Sequence, residues 1–139
     1  MNLTQLVYTS VLTALPMEIG QVVQAIAARS DENNRAVGIT GCLLVDGRRV
    51  VQFLEGEPDA VATLAERIQA DQRHVSYRVL FQGESERRQI PEWGMVMFRV
   101  DSSDVEESDL HELTARAQYN NPFDLNQFLV TMRSYLFDA

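Results

Sequence analysis

Residues 33–58 read NNRAVGITGCLLVDGRRVVQFLEGEP, and the way this stretch folds decides how the rest of the chain can fold. Two apolar runs, residues 39–45 and 50–54, have strand length, and Asp46-Gly47 between them is a two-residue hairpin signal. A central β-hairpin follows. In its second strand the amide of Gln52 interrupts Val50-Val51-Gln52-Phe53-Leu54. A buried amide left without partners costs about 1–3 kcal/mol. Gln52 is therefore either satisfied by the protein or bonded to something a pocket holds.

The chain has 139 residues, 45% of them hydrophobic, enough for one domain with a core that needs no staples. The one cysteine, Cys42, lies mid-strand, which rules out an intramolecular disulfide and suits a reducing, cytoplasmic setting. Residues 1–10 do not resemble a signal peptide, and no apolar run approaches the roughly 18 residues of a membrane span. A net charge of −8 repels phosphodiester backbones, and the local pairs Arg48-Arg49 and Arg87-Arg88 do not reverse that, so no nucleic-acid partner is expected. There is no repeat, low-complexity tract or Gly/Ser/Pro-rich linker.

Working outward from the hairpin, residues 3–10 predict a first strand with Leu6, Tyr8 and Ser10 on one face and Val7 and Thr9 on the other. After Pro16, Ile19, Val22, Val23 and Ile26 recur at helical spacing, and the helix is expected to close before Asn33-Asn34. Residues 59–70 predict a second helix, started by Pro58, with Val61, Leu64, Ala65 and Ile68 on one stripe and Arg67 at its border. Residues 76–82 predict a fourth strand and 83–89 a loop. Residues 93–100 predict a fifth strand with Trp93, Met95 and Met97 on one face and Val96, Phe98 and Val100 on the other.

The order β-α-β-β-α-β is that of an α+β, ferredoxin-like sandwich, here extended by a fifth strand. Its outer sheet face would carry Val7, Val51, Phe53, Val96 and Phe98, all apolar, so it needs a cover. Two amphipathic segments, residues 105–117 and 123–137, the latter with Leu125, Leu129, Met132 and Leu136 in one stripe, are the expected covering helices. The chain thus divides into residues 1–100 and a helical extension, 101–139.

Catalytic sets are weak. His74 and His111, the only histidines, have no serine or cysteine in a nucleophile setting, and one cysteine with two distant histidines supplies too few metal ligands. What stands out is a polar set on otherwise apolar elements: Tyr8, Ser10, Asn33, Asn34 and Gln52, with Trp93 and Met95 on the last strand. With the first and hairpin strands side by side, Tyr8 and Gln52 could face one space between the helices. Groups that both donate and accept suit the edge of a planar heterocycle. Taken singly, a helix cap for either asparagine and core packing for Tyr8 and Trp93 explain each of these residues better than a ligand does.

As an ordered set they resemble the BLUF family, the sensors of blue light using FAD. The pieces are Tyr8-Thr9-Ser10, Asn33-Asn34, Gly38-Ile39-Thr40-Gly41-Cys42-Leu43-Leu44, Gln52-Phe53-Leu54-Glu55-Gly56, Ile68, Asp71 with Arg73-His74, and Arg87-Arg88 before Trp93-Gly94-Met95. One departure is Ile90, where the family usually has Phe. The resemblance implies a non-covalent flavin between the two helices, FAD or alternatively FMN, bound by Tyr8, Ser10, Asn33, Asn34, Ile39, Gln52, Arg67, Ile68, Asp71, Arg73 and His74. Asn34 would hold the ring's polar edge and Arg67 would lie near the phosphates.

It further implies a photoswitch of Tyr8, Gln52, Met95 and Trp93. Light-driven electron and proton transfer from Tyr8 through Gln52 would rotate or tautomerise the amide, rearranging the flavin hydrogen bonds. The arrangement of Trp93 and Met95 relative to the flavin is debated in the family. On this reading Tyr8, Asn34 and Gln52 would lack partners without the ligand. The protein is then no enzyme but a short, stand-alone sensor, expected as a homo-oligomer, that signals to a downstream partner through the last strand and the C-terminal helices or the sheet face.

Two alternatives stand beside it. An acylphosphatase-type hydrolase on the same fold needs an arginine-bearing anion loop after the first strand, and residues 10–16 contain no arginine. A ligand-free interaction module predicts a colourless protein.

Overall fold

The computed structural model describes residues 2–100 and 123–137, with side chains described to residue 135. Among the described residues the fold has five strands and three α-helices: β1 Leu3–Leu12, α1 Ile19–Ala36, β2 Thr40–Asp46, β3 Arg49–Gly56, α2 Pro58–Ala70, β4 His74–Ser85, β5 Val96–Val100 and α3 Leu125–Phe137. The sheet order is β4-β1-β3-β2-β5. The first four strands pair antiparallel, as the ferredoxin-like pattern requires, and β5 adds to β2 in parallel.

The hairpin forms where its apolar runs predict, but its turn lies one residue later: Asp46 pairs with Arg49, so the two-residue loop is Gly47-Arg48. Helix α1 does not close before Asn33-Asn34; it runs through both to Ala36. The stop comes from Gly38, whose φ of +72° costs glycine little. There the amides of Val37 and Ile39 donate to the Asn34 carbonyl at 3.1 and 2.8 Å, closing the helix end. The asparagine side chains are thereby released from capping, and Asn34 points into the core.

Period-two alternation then sorts the sheet residues between two cores. Leu6, Tyr8, Leu12, Leu43, Val45, Val50 and Leu54 join Ile19 and Val23 of α1 and Val61 of α2 in the inner cluster. Val7, Cys42, Leu44, Val51 and Phe53 form the outer cluster with Phe128, Leu129 and Met132 of α3. The expected cover is thus present in α3; the other predicted helix, residues 105–117, lies outside the described residues. Burying side chains of this size contributes about 1.5–3 kcal/mol each, so α3 is a docked element. Burial, with Glu55 adding, pushes the Cys42 thiol up to about 12, and it stays protonated near neutral pH.

Strand β5 begins at Val96, three residues later than its apolar pattern predicts, and β4 is longer than predicted at both ends. Strand β4 is an edge of the sheet, and it is irregular: its register against β1 shifts twice, and Ser76 takes a φ of +59°. Such irregularities bend an edge away from stray pairing.

Candidate functional site

The two helices on the inner face leave a cleft between them. Val23, Ile26, Ser30 and Asn34 line it from α1, Leu64 and Ile68 from α2, Tyr8, Leu43 and Gln52 from the sheet, and Asp71, Arg73 and His74 from the chain after α2. A second hollow shares Asn34 and Leu64 and extends past Asn33 and Thr63 to Arg67.

Tyr8 and Gln52 are direct cross-strand neighbours on β1 and β3, so both side chains leave the same face of the sheet. The Tyr8 hydroxyl donates to Gln52 Oε1, and Gln52 Nε2 donates to Met95 Sδ at 3.4 Å. Burial pushes the Tyr8 phenol far above its ordinary range, with the nearby Tyr77 and Asp71 adding to the effect. The phenol therefore holds its proton firmly.

A cleft lined by aliphatic side chains, with amide, phenol and imidazole groups also on its walls, fits a planar heterocycle. The expectation that Tyr8, Asn34 and Gln52 lack partners in the protein alone is not met: every buried side-chain nitrogen and oxygen among the described residues has one. The fit rests instead on the quality of those partners. Gln52 spends an amide N–H on a thioether, a weak acceptor, which leaves a stronger acceptor room to compete.

Asn34 Nδ2 donates to the Gly94 carbonyl at 3.0 Å, and Asp31 Oδ1 accepts from the Met95 amide at 3.0 Å. The backbone here lies so close to α1 that a Cβ on Gly94 would sit 2.3 Å from the Asp31 carbonyl oxygen. Pinned this way, Met95 turns into the inner cluster, while Trp93 packs on the outer one. The expectation that Trp93, Met95 and Met97 share one face is corrected: residues 93–95 precede β5 and are not pleated, so strand alternation does not govern them.

The remaining predicted residues fall at different distances from the cleft. His74 Nε2 donates to the Ile68 carbonyl, and in the neutral ring Nδ1 then accepts from the Ser10 hydroxyl at 2.7 Å. This ties β1 to the end of α2, with Ser10 behind His74. Asp71 and Arg73 form an ion pair at the rim, and hydrogen bonding from Arg73 holds the Asp71 carboxyl below its usual range. Ile39 is wholly buried in the inner cluster, and Asn33 and Arg67 are exposed at the second hollow.

Three residues escaped the sequence reading. Tyr77 lies against Tyr8 with ring centroids 4.9 Å apart; its side was hidden because β4 loses simple alternation. Asp31, one helical turn before Asn34, was legible as a polar residue of α1, yet nothing local names its partner sixty-four residues away. Glu55 was visible in the hairpin motif, but its complete burial was not.

The family model described as sensors of blue-light using FAD, BLUF, matches residues 3–96. Among solved structures, the dark state of the BLUF protein BlrB superposes with a TM-score of 0.79 at 27% identity, covering 96% of this chain and 97% of that one. A bacterial light-regulated adenylyl cyclase superposes at 0.72 and 28% identity over 83% of this chain, which spans only 33% of the cyclase. BlrP1 of Klebsiella pneumoniae, solved with FMN and cyclic diGMP, superposes at 0.67 and 26% identity, covering 96% of this chain and 36% of that one. No curated protein matches the sequence. With the family model spanning most of the chain, and the cleft, the strand register and the solved relatives in agreement, the chain belongs to the BLUF family and is a blue-light photoreceptor that uses a flavin.

Proposed function

We propose that the cleft between α1 and α2 holds the flavin, as FAD with FMN as the alternative, and that Tyr8, Gln52 and Met95 are the switch beside it. The observation that carries this reading is the relay from Tyr8 to Gln52 to Met95 along the cleft. When bound, the flavin supplies the blue absorption and an electron-accepting ring. Tyr8 is the electron and proton donor: its proton already lies on a hydrogen bond to Gln52 Oε1, and its raised pKa keeps that proton on the phenol in the dark. Rotation of the Gln52 amide would exchange the oxygen facing Tyr8 for the NH2 group, and the weak Met95 contact opposes this little.

Asn34 holds the ring edge, with Ile39, Ile68 and Ser10 as packing and support. Asp71, Arg73 and His74 form the rim of the cleft, while Asn33 and Arg67 face the phosphate end, where a cation favours an anionic group. Trp93 acts from the outer face, as part of the output rather than as a neighbour of the ring. In this reading the chain catalyses no reaction of its own, works in the cytoplasm, and signals through α3 or the outer face to a downstream protein, as a homo-oligomer. Residues 1–100 sense and 101–139 transmit. Among the described residues no helix is long and apolar enough to cross a membrane.

The test is the visible spectrum before and after blue light. The wild type should carry a flavin that denaturation releases and should show a small red shift without bleaching. Tyr8→Phe and Gln52→Leu should each keep the flavin and lose the shift. A full shift in Gln52→Leu would remove the amide from the switch.

A further inference from the structure

We propose that Glu55 is a latch that couples the strand carrying Gln52 to α3. Glu55 lies three residues beyond Gln52 on β3, so its side chain leaves the opposite, outer face of the sheet, and it is wholly buried. A buried carboxylate is costly unless hydrogen bonds satisfy it, and here they come from one short segment. Oε2 accepts from the amides of Gln89 and Ile90 at 2.7 Å each, Oε1 accepts from Gln89 at 2.8 Å, and the Thr40 hydroxyl approaches at 3.5 Å.

The same segment is held at its other side by α3. The guanidinium of Arg133 donates to the Gln89 carbonyl and pairs with Glu92 at 3.8 Å. Ile90, between these contacts, is fully buried in the outer cluster with Phe128 and Met132. Arg88 fastens the start of the segment, donating to Thr40 Oγ1 at 2.9 Å, to the Glu55 carbonyl at 3.3 Å and to the Gly38 carbonyl at 2.6 Å. Residue 89 therefore gives its N–H to β3 through Glu55 and its carbonyl to α3 through Arg133. A shift of β3 at Gln52 reaches α3 through two side chains and one peptide unit, independently of β5.

The light-driven part of this inference rests on the photoreceptor reading; the link itself does not. Hydrogen exchange tests both in the full chain. In the dark, Glu55→Gln keeps the shape but replaces one accepting oxygen with an NH2 group that faces the donating amide of residue 89, so α3 amides should exchange roughly tenfold faster or more, while the β1–β3 ladder keeps its protection. Arg133→Gln should do the same, and the double variant should add little, because both act on residue 89. Unchanged α3 exchange, or fully additive effects, overturns the latch. Should Glu55→Gln fail to fold, the partly exposed Arg133 tests the link from its other end by the rate of exchange at residues 89 and 90, expected to rise and, if unchanged, overturning it.

Under blue light the wild type should change its α3 exchange, and Glu55→Gln should keep the red shift but lose that change. A wild-type red shift with no α3 response, or a Glu55→Gln protein with the full response, overturns the coupling. A wild type with no red shift removes the photoreceptor reading instead, and leaves the dark comparison to decide the latch.

Discussion

At Tyr8 a single phenol joins stability to the switch. Its ordinary pKa is 10.0, and burial raises it in the folded chain. Since the folded value exceeds the unfolded one, the contribution to stability is fully present below pH 10.0 and is lost as pH rises from there toward the folded value. Tyr8→Phe removes this loss, so its alkaline unfolding, followed by circular dichroism, should lie at higher pH than the wild type's; an unmoved alkaline limb would contradict the assignment. Gly94 is another residue whose identity is forced. A Cβ there would overlap the Asp31 carbonyl oxygen, so Gly94→Ala must shift the segment that carries Met95 and should destabilise by about 1–3 kcal/mol in urea. Trp93 is the only tryptophan, so its emission should change in the same variant as its packing on the outer cluster loosens.

Among the elements, α3 separates most clearly from the rest. It meets the sheet through Phe128, Leu129 and Met132 and the segment before β5 through Arg133, whereas α1 and α2 share the inner cluster with three strands. Phe128 is wholly buried, and Phe128→Ala should cost about 3–5 kcal/mol of the stability measured in urea. Because that side chain touches only the outer face, flavin binding should survive in the variant at protein concentrations where it stays folded. Flavin lost in a folded Phe128→Ala protein would show that the two faces are not separable. The hairpin is the opposite case, since β3 serves both cores at once: Val50, Gln52 and Leu54 face inward and Val51, Phe53 and Glu55 outward. It cannot move on one face without moving on the other.

For the whole molecule, this two-faced strand is why an event in the cleft has a path to the surface, and light-minus-dark exchange should mark residues 86–100 and α3 before the edge strand β4. The ferredoxin-like order and the two-sided sheet were legible in the sequence, and period-two alternation showed that Tyr8 and Gln52 could share a face; that β1 and β3 are neighbours and pair Tyr8 directly with Gln52 came from the structure. The need for an outer cover was equally legible, since five apolar residues on one sheet face cannot stay in water. The tertiary structure alone decided the facing of Met95 and Trp93, the release of Asn34 from helix capping, and the partners of Glu55. The first and last of these depend on a polar contact between segments far apart in the chain, Asp31 with Met95 and Glu55 with Ile90, and the second on the helix running on to Gly38. Hydrophobic periodicity reports which side of an element is buried; it carries no information on which distant backbone amide a buried carboxylate will find.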